Sequence, residues 1–300
     1  MRTHILLPLL LATALTARPA EPVPPPGPFL RVATVQLRSE PDIRANVAKI
    51  KQHLTDCAAR QVQIVAFPEC AVSGYFGTYI STLTDAEIAA AAREIAAACR
   101  ENKIAAIVGT PERRDGKMFN TALIINASGE IIARYDKAQP VGQDRAWHCL
   151  PGSAPSPVFT VGSARASVII CHDNRFPELA RLPVLAGSRV IFYISSEAVL
   201  AKEQKMGPYR AQAQAIAVEN RVYLVHANPP ANDVNSGSHG QSRVIDTDGN
   251  IIQEAGIFKE EVLVADLDLS KATAEFALEA LNGPLGDWWR EGLKRVPVLP

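Results

Sequence analysis

Short apolar runs alternate along this chain with stretches of helical periodicity. Residues 30–37 are apolar and β-rich, the expected first strand. Residues 43–60 switch to helical spacing, with Asn46, Lys49 and Lys51 among the polar positions. Residues 62–67 are almost continuously apolar, the pattern of a strand covered on both faces. An alanine-rich helix is predicted over 86–99 and another buried strand over 104–109. The opening order is therefore β-α-β-α-β, which favours a layered α/β sheet.

The pattern then changes to hairpins and returns. Residues 122–125 and 131–135 flank the turn Asn126-Ala127-Ser128-Gly129. A second β-α-β stretch follows, with strands at 166–170 and 190–194 and a helix near 178–186. A helix over 209–220, a strand over 222–227 and a second hairpin complete the series. That hairpin joins 242–245 to 251–254 through Asp246-Thr247-Asp248-Gly249. The two hairpins share one apolar pattern and one glycine position, and the elements before them correspond in order. The chain thus reads as two similar halves, each a sheet with helices on one side. Packed face to face, they predict an α/β fold of four layers, an α-β-β-α sandwich.

The ends of the chain read differently. Arg2 and His4 precede an apolar run from Ile5 to Leu15, followed by small residues, the three-part pattern of a secretory signal peptide over residues 1–20. Five prolines between Glu21 and Pro28 predict a stiff extended linker over 21–28. The folded domain is expected over 29–270, with a C-terminal extension over 271–300. This organisation predicts an exported protein, periplasmic or secreted, with no stable membrane association after cleavage. Of the 300 residues, 47% are hydrophobic, and Lys+Arg and Asp+Glu balance at 31 each. That balance removes the basic footprint a nucleic-acid partner would need. Five cysteines, at 57, 70, 99, 149 and 171, include no pair with metal-ligand spacing, and their odd number leaves at least one thiol unpaired in a monomer.

Cys171 is the thiol best placed for chemistry. It ends the apolar run 166–170 and is followed by His172-Asp173-Asn174-Arg175-Phe176-Pro177-Glu178, with Pro177 suited to the first turn of a helix. A strand-to-helix junction presents a thiol sharply and bathes it in backbone dipoles. Glu69 follows the strand 62–67 and Pro68, and Lys137 follows the strand 131–135. Each is ordinary alone. Together they are a carboxylate, an ammonium and a thiol just past three strand ends, which in open α/β sheets converge on the ligand crevice. The carboxylate can take the thiol proton, the thiolate can attack a carbonyl carbon, and the ammonium can stabilise the oxyanion. Ser195 and Ser196, past the strand 190–194, are candidates for the same wall, the alternative being a plain polar strand end. A Cys171–His172 dyad is the alternative, disfavoured because sequence neighbours rarely point at each other.

Four ordered motifs carry a family resemblance over about residues 30–266. They are Phe67-Pro68-Glu69-Cys70-Ala71-Val72-Ser73-Gly74-Tyr75; Asn120-Thr121-Ala122 with Arg134-Tyr135-Asp136-Lys137; Cys171 to Glu178; and Arg210 to Arg221. In these the chain resembles the nitrilase superfamily of carbon–nitrogen hydrolases. The resemblance implies the four-layer fold, a Glu69–Lys137–Cys171 triad, a thioester on Cys171, no cofactor and no metal. It also implies a second oxyanion donor in the backbone N–H of His172 and a homodimer or larger homo-oligomer. Many members carry a further glutamate between the lysine and cysteine motifs; residues 139–152 contain none, and Asp144 is the nearest substitute, the alternative being a solvated loop residue beside Arg145.

Nitrilases of the family follow the cysteine with Trp-Glu, whereas His172-Asp173 stands here. That favours a small-molecule amide or N-carbamoyl substrate, bound by Tyr75, Arg175, Ser195 and Ser196. Arg175 suits a substrate carboxylate; its alternative is a structural pair with Glu178. The rival functions are a nitrilase, an acyltransferase that passes the thioester to an amine, and a non-catalytic binding protein of the same fold.

Overall fold

The computed structural model describes residues 29–283 and 285–286. The expected signal peptide and proline-rich linker lie outside the described residues. The first half of the fold runs β1 (Phe29–Gln36), α1 (Ile43–Ala59), β2 (Ile64–Ala66), α2 (Gly77–Thr82), α3 (Asp85–Asn102), β3 (Ala105–Arg114), β4 (Lys117–Ile125), β5 (Ile131–Asp136) and α4 (Gly142–Ala146). The second half runs β6 (Phe159–Val161), β7 (Ala164–Ile170), α5 (Pro177–Leu185), β8 (Val190–Ile194), α6 (Met206–Asn220) and β9 (Tyr223–Ala227). Then come β10 (Ala231–Asp233), β11 (Ser236–Gly237), β12 (Arg243–Ile245), β13 (Ile251–Glu254), β14 (Glu261–Asp268) and α7 (Glu275–Asn282).

The strands form two six-stranded sheets of order β14-β1-β2-β3-β4-β5 and β6-β7-β8-β9-β12-β13, while β10 and β11 pair by themselves. Each large sheet holds three parallel strands, two antiparallel strands beyond the third, and one antiparallel edge strand beside the first. The two halves repeat in strand order, as the hydrophobic pattern predicts. Their turns repeat as well: Gly129 donates to Asn126 O and Gly249 to Asp246 O, both glycines with positive φ. The sheets differ in the source of the edge strand, which is the distant β14 in the first and the adjacent β6 in the second.

Three apolar layers account for the four-layer stacking. Leu30, Val32, Ile107 and Ile124 of the first sheet meet Val168, Ile170, Phe192 and Val225 of the second. On the outer face of the first sheet Val35, Val65 and Val108 bury against Ile50 and Leu54 of α1 and Ile88 and Ile95 of α3. On the outer face of the second, Ile169, Ile191 and Leu224 bury against Val184 of α5, Ile216 of α6 and Ala277 of α7. Strands covered on both faces explain the unbroken apolar runs. Capping fixes the helix starts: Asp42 accepts from the N–H groups of Arg44 and Ala45, and Thr84 and Glu87 form a capping box before α3.

One expectation changes. The strands expected over 104–109 and 122–125 run on as β3 and β4 and join in a hairpin of their own, because Asp115 and Gly116, at φ 51° and 72°, make a tight turn matched to the strand twist. Within the expected C-terminal extension over 271–300, α7 buries Ala277 in the outer layer of the second sheet.

Candidate active site

Glu69 leaves the end of β2 on a tight turn. Gly109 of β3 makes room for it: a Cβ at that position would lie 2.3 Å from Pro68 O, 2.6 Å from Cys70 N and 2.7 Å from Glu69 Cα. The Glu69 carboxylate is buried. Its Oε1 accepts from Lys137 Nζ and from Asn120 Nδ2, both at 2.7 Å, and its Oε2 accepts from the N–H of Ser196 at 2.8 Å.

Lys137, just past β5, has no solvent exposure and sits between two carboxylates. The second is Asp144 in α4, whose Oδ2 lies 2.8 Å from Nζ. Asp144 is also fully buried, so it is not a solvated loop residue. It accepts from the Tyr75 hydroxyl at 2.6 Å, Asn120 Nδ2 at 3.0 Å and the N–H of Val141 at 2.8 Å. Every oxygen of the cluster is thus occupied, the condition under which buried charge is tolerated.

Cys171 follows β7 and opens a short 3₁₀ helix, Cys171–Arg175, its own φ of 47° being a left-handed backbone rare outside glycine. Asp173 holds that turn. Its carboxylate accepts from the Tyr135 hydroxyl at 2.8 Å, the N–H of Gln139 at 2.9 Å and the N–H of Ile170 at 3.3 Å. Tyr135 and Gln139 flank Lys137 by two residues on either side, so one carboxylate sets the cysteine turn against the lysine strand. Cys171 Sγ lies 3.8 Å from Ser196 O.

The electrostatics follow from burial. Burial pushes the Glu69 carboxyl up from its ordinary value, opposed only in part by Lys137. Burial and then the Glu69 charge push the Cys171 thiol well up, so the resting group is a thiol beside a base of raised affinity for protons. Burial alone would lower Lys137, but Glu69, Cys171 and Asp144 together hold its ammonium well above the ordinary range. Burial raises Asp173 to about 6.

A cavity of about 310 Å³ opens at this end of the strands, lined by Glu69, Tyr75, Phe76, Ser196, Glu197 and Arg38 among others. A larger one of about 610 Å³ lies at the opposite ends of β2 and β3, beside Gln63 and Lys103, and contains none of the groups just described. The expected wall residues divide. Tyr75 and Ser196 line the smaller cavity, though the Tyr75 hydroxyl is committed to Asp144 and Ser196 contributes its backbone. Ser195 does not line it: its buried hydroxyl bonds His226 Nε2 at 2.7 Å and Asn228 Oδ1 at 3.0 Å. Arg175 is exposed and lies 5.2 Å over the ring of Tyr209, neither on the cavity wall nor paired with Glu178. The His172 ring meets Phe176 edge-on at 5.8 Å. Sequence reasoning missed the role of Asn120, which bridges Glu69 and Asp144, and of Glu197. The signal for Glu197 was the same as for Glu69, a carboxylate directly after a buried parallel strand. Among the described residues no group of three or more His, Cys, Asp or Glu side chains is arranged to hold a metal ion.

A buried carboxylate and ammonium beside a thiol, at the strand ends of a doubled α/β sandwich, suit a hydrolase that works by acyl transfer. Residues 31–274 match the carbon–nitrogen hydrolase family, and the chain belongs to that family, within the nitrilase superfamily. It is a carbon–nitrogen hydrolase of the amidase type. The formamidase of Photorhabdus laumondii subsp. laumondii is 30% identical over 267 residues, 83% of this chain and 77% of that protein. The omega-amidase NIT2 of Homo sapiens is 27% identical over 253 residues, 80% of this chain and 89% of that protein. Among solved structures, the amidase of Nesterenkonia sp. AN1 superposes with a TM-score of 0.77 at 25% identity, covering 87% of this chain and 99% of that one. A variant of that amidase, also 25% identical with a TM-score of 0.77 over 90% of this chain and 100% of its own, carries the acetamide moiety of fluoroacetamide covalently at its active site cysteine.

Proposed function

We propose that the chain hydrolyses a small amide or N-carbamoyl compound through a thioester on Cys171. The observation that carries this reading is the buried Glu69–Lys137–Asp144 cluster joined to Cys171 through the backbone of Ser196. Glu69 takes the thiol proton as Sγ attacks the carbonyl carbon. Lys137 Nζ and the backbone N–H of His172 stabilise the oxyanion. The C–N bond breaks, the proton on Glu69 passes to the leaving nitrogen, and ammonia departs. Glu69 then deprotonates water, which attacks the thioester and releases the acid and the Cys171 thiol. Asp144 orients Lys137 throughout. Ammonia release measured over small amides, N-carbamoyl compounds and nitriles tests the assignment. Release from amides or carbamoyl compounds supports it, and release from nitriles alone would make the protein a nitrilase.

The same proposal includes export, supported by the charged, apolar and small-residue order of residues 1–20, and self-association. Leu182 of α5 and Phe276 and Leu281 of α7 stay exposed on helices that face the same outer layer, an apolar surface suited to a second copy. N-terminal sequencing of protein from its native host should begin near Glu21, and an intact Met1 on that material would refute export. Light scattering should give at least twice the mass of one chain.

A further inference from the structure

Past β8 stands a second buried carboxylate that the reaction above does not use. The Glu197 side chain has no solvent exposure. The Tyr193 hydroxyl donates to its Oε1 at 2.5 Å, His239 Nε2 lies 2.7 Å from its Oε2, and His226 Nε2 lies 3.7 Å from Oε1. His226 also stacks on Tyr193, ring centroids 4.3 Å apart. The backbone of the residue is held as firmly. Its N–H donates to Asn228 Oδ1 and its C=O accepts from the Ser238 hydroxyl, both at 3.0 Å. Asn228 Oδ1 accepts from the hydroxyls of Ser195 and Ser238 as well, and its Nδ2 donates to Gly240 O.

What this clamp fixes is Ser196. The peptide before it gives its N–H to Glu69 Oε2 at 2.8 Å, and the peptide after it offers its C=O to Cys171 Sγ at 3.8 Å. The second peptide is the one shared with Glu197: Asn228 grips its N–H end and Cys171 meets its C=O end. A shift at residue 197 therefore moves the thiol's acceptor, and through Ser196 the N–H that orients the base. Burying a carboxylate is unfavourable by several kcal/mol unless its partners satisfy it, and an apolar residue would fill the same space at less expense. A positional task accounts for its presence.

We propose that Glu197 is a positioning residue: held by the Tyr193 hydroxyl and packed against His239, it fixes the two peptides of Ser196 that set Cys171 against Glu69 for proton transfer. The inference rests on the reading of Cys171 as nucleophile and Glu69 as base. Glu197→Gln tests it, keeping the shape and the acceptor for Tyr193 but removing the charge that faces His239 at 2.7 Å. On a substrate found in the ammonia screen, kcat should fall at least about tenfold with KM within about twofold, since misplacement by ~1 Å is worth up to about a hundredfold. In a Glu69→Gln background, where the proton transfer is already lost, the same substitution should change the residual kcat by less than about twofold, as residues acting in one step are not additive. A wild-type kcat in Glu197→Gln overturns the proposal, and so does a loss expressed only in KM or one that persists in full in the Glu69→Gln background. If Glu197→Gln fails to fold, His239→Leu takes its place with the same readings. A Glu69→Gln protein of undiminished kcat would instead remove the base assignment itself, and the role of Glu197 with it.

Discussion

At the scale of single residues the account turns on one ammonium between two carboxylates. Lys137 is 2.7 Å from Glu69 and 2.8 Å from Asp144, with all three side chains fully buried. Only Glu69 is given a proton to move, so the two acids should respond differently to neutralisation. Glu69→Gln is expected to lower kcat by about 10²–10⁴, the usual worth of a general base. Asp144→Asn should do less, about tenfold to a hundredfold, and lower kcat at least as much as kcat/KM, because it disturbs the ammonium in the transition state rather than substrate binding. Parallel steady-state kinetics of the two variants check this; an Asp144→Asn protein with both constants unchanged would leave Asp144 without a catalytic role. Burial also sets the pH dependence. Glu69 must be ionised to act, and its carboxyl is raised above its ordinary 4.5. The acid limb of kcat/KM should therefore fall above the pH of an exposed glutamate, activity being lost as pH drops through it. A limb at or below the ordinary value would show that Glu69 is not the titrating base.

At the scale of elements, the site depends on how closely β3 lets the Glu69 turn approach. Gly109→Ala would set a Cβ within 2.3 Å of Pro68 O, a backbone atom that cannot rotate away. The turn must shift, so stability should fall by about 1–3 kcal/mol and kcat by about a hundredfold. Thermal denaturation and kinetics of that one variant measure both, and unchanged kcat would mean the turn is free to adjust. Elements whose environment is uniform were legible in the amino-acid pattern. Strands β2 and β8, covered on both faces, are continuous apolar runs, β7 and β9 are broken only by Arg165, Ser167 and His226, and α1 and α3 show one buried stripe each. The strand ends carrying Glu69 and Cys171 were legible for the same reason, and the half-exposed β5 before Lys137 was legible as one arm of a hairpin around a glycine turn. Short or distant elements were not. Helices α2 and α4 span 6 and 5 residues, too few for a period to show. Strand β14 is half-buried along most of its length and pairs with β1 across the whole chain, from Phe29 to Asp268. No local signal announces such a pairing. The polar hub around Glu197 was hidden likewise: Tyr193, His226 and His239 come from two strands and a loop that only the fold brings together. Ser195 was misplaced because its position past a strand end is equally that of a crevice residue and of a residue turned into this hub.

At the scale of the whole molecule, the hub couples stability to pH. Burial lowers His226 from 6.5 to about 3, and the two histidines and Tyr193, outweighing burial, lower Glu197 from 4.5 to about 2. Both groups bind more protons unfolded than folded as the solution is acidified. The contribution of these two groups to stability should accordingly be intact above about pH 6.5 and decline as pH falls, first through the His226 window and then through that of Glu197. Thermal melts from pH 8 to pH 4 of the unaltered protein and of His226→Gln check this by difference, since the raised Asp173 and Glu69 carboxyls contribute the opposite slope to both; the variant should lose less stability between pH 6.5 and 4.5, and parallel profiles would contradict the neutral, buried state of His226. The hub belongs to the second half of a doubled fold, while Glu69, Lys137 and Asp144 belong to the first and Cys171 to the second. In the proposed reaction these halves meet to acylate Cys171, and mass spectrometry of the protein quenched during turnover reads that acyl group itself. With the best amide or carbamoyl substrate from the ammonia screen, the Cys171 peptide should gain the mass of the substrate less ammonia. Cys171→Ala, folded as judged by its melt, should show neither adduct nor ammonia release. Ammonia released by Cys171→Ala at the wild-type rate, with no adduct on the unaltered protein, would contradict the account.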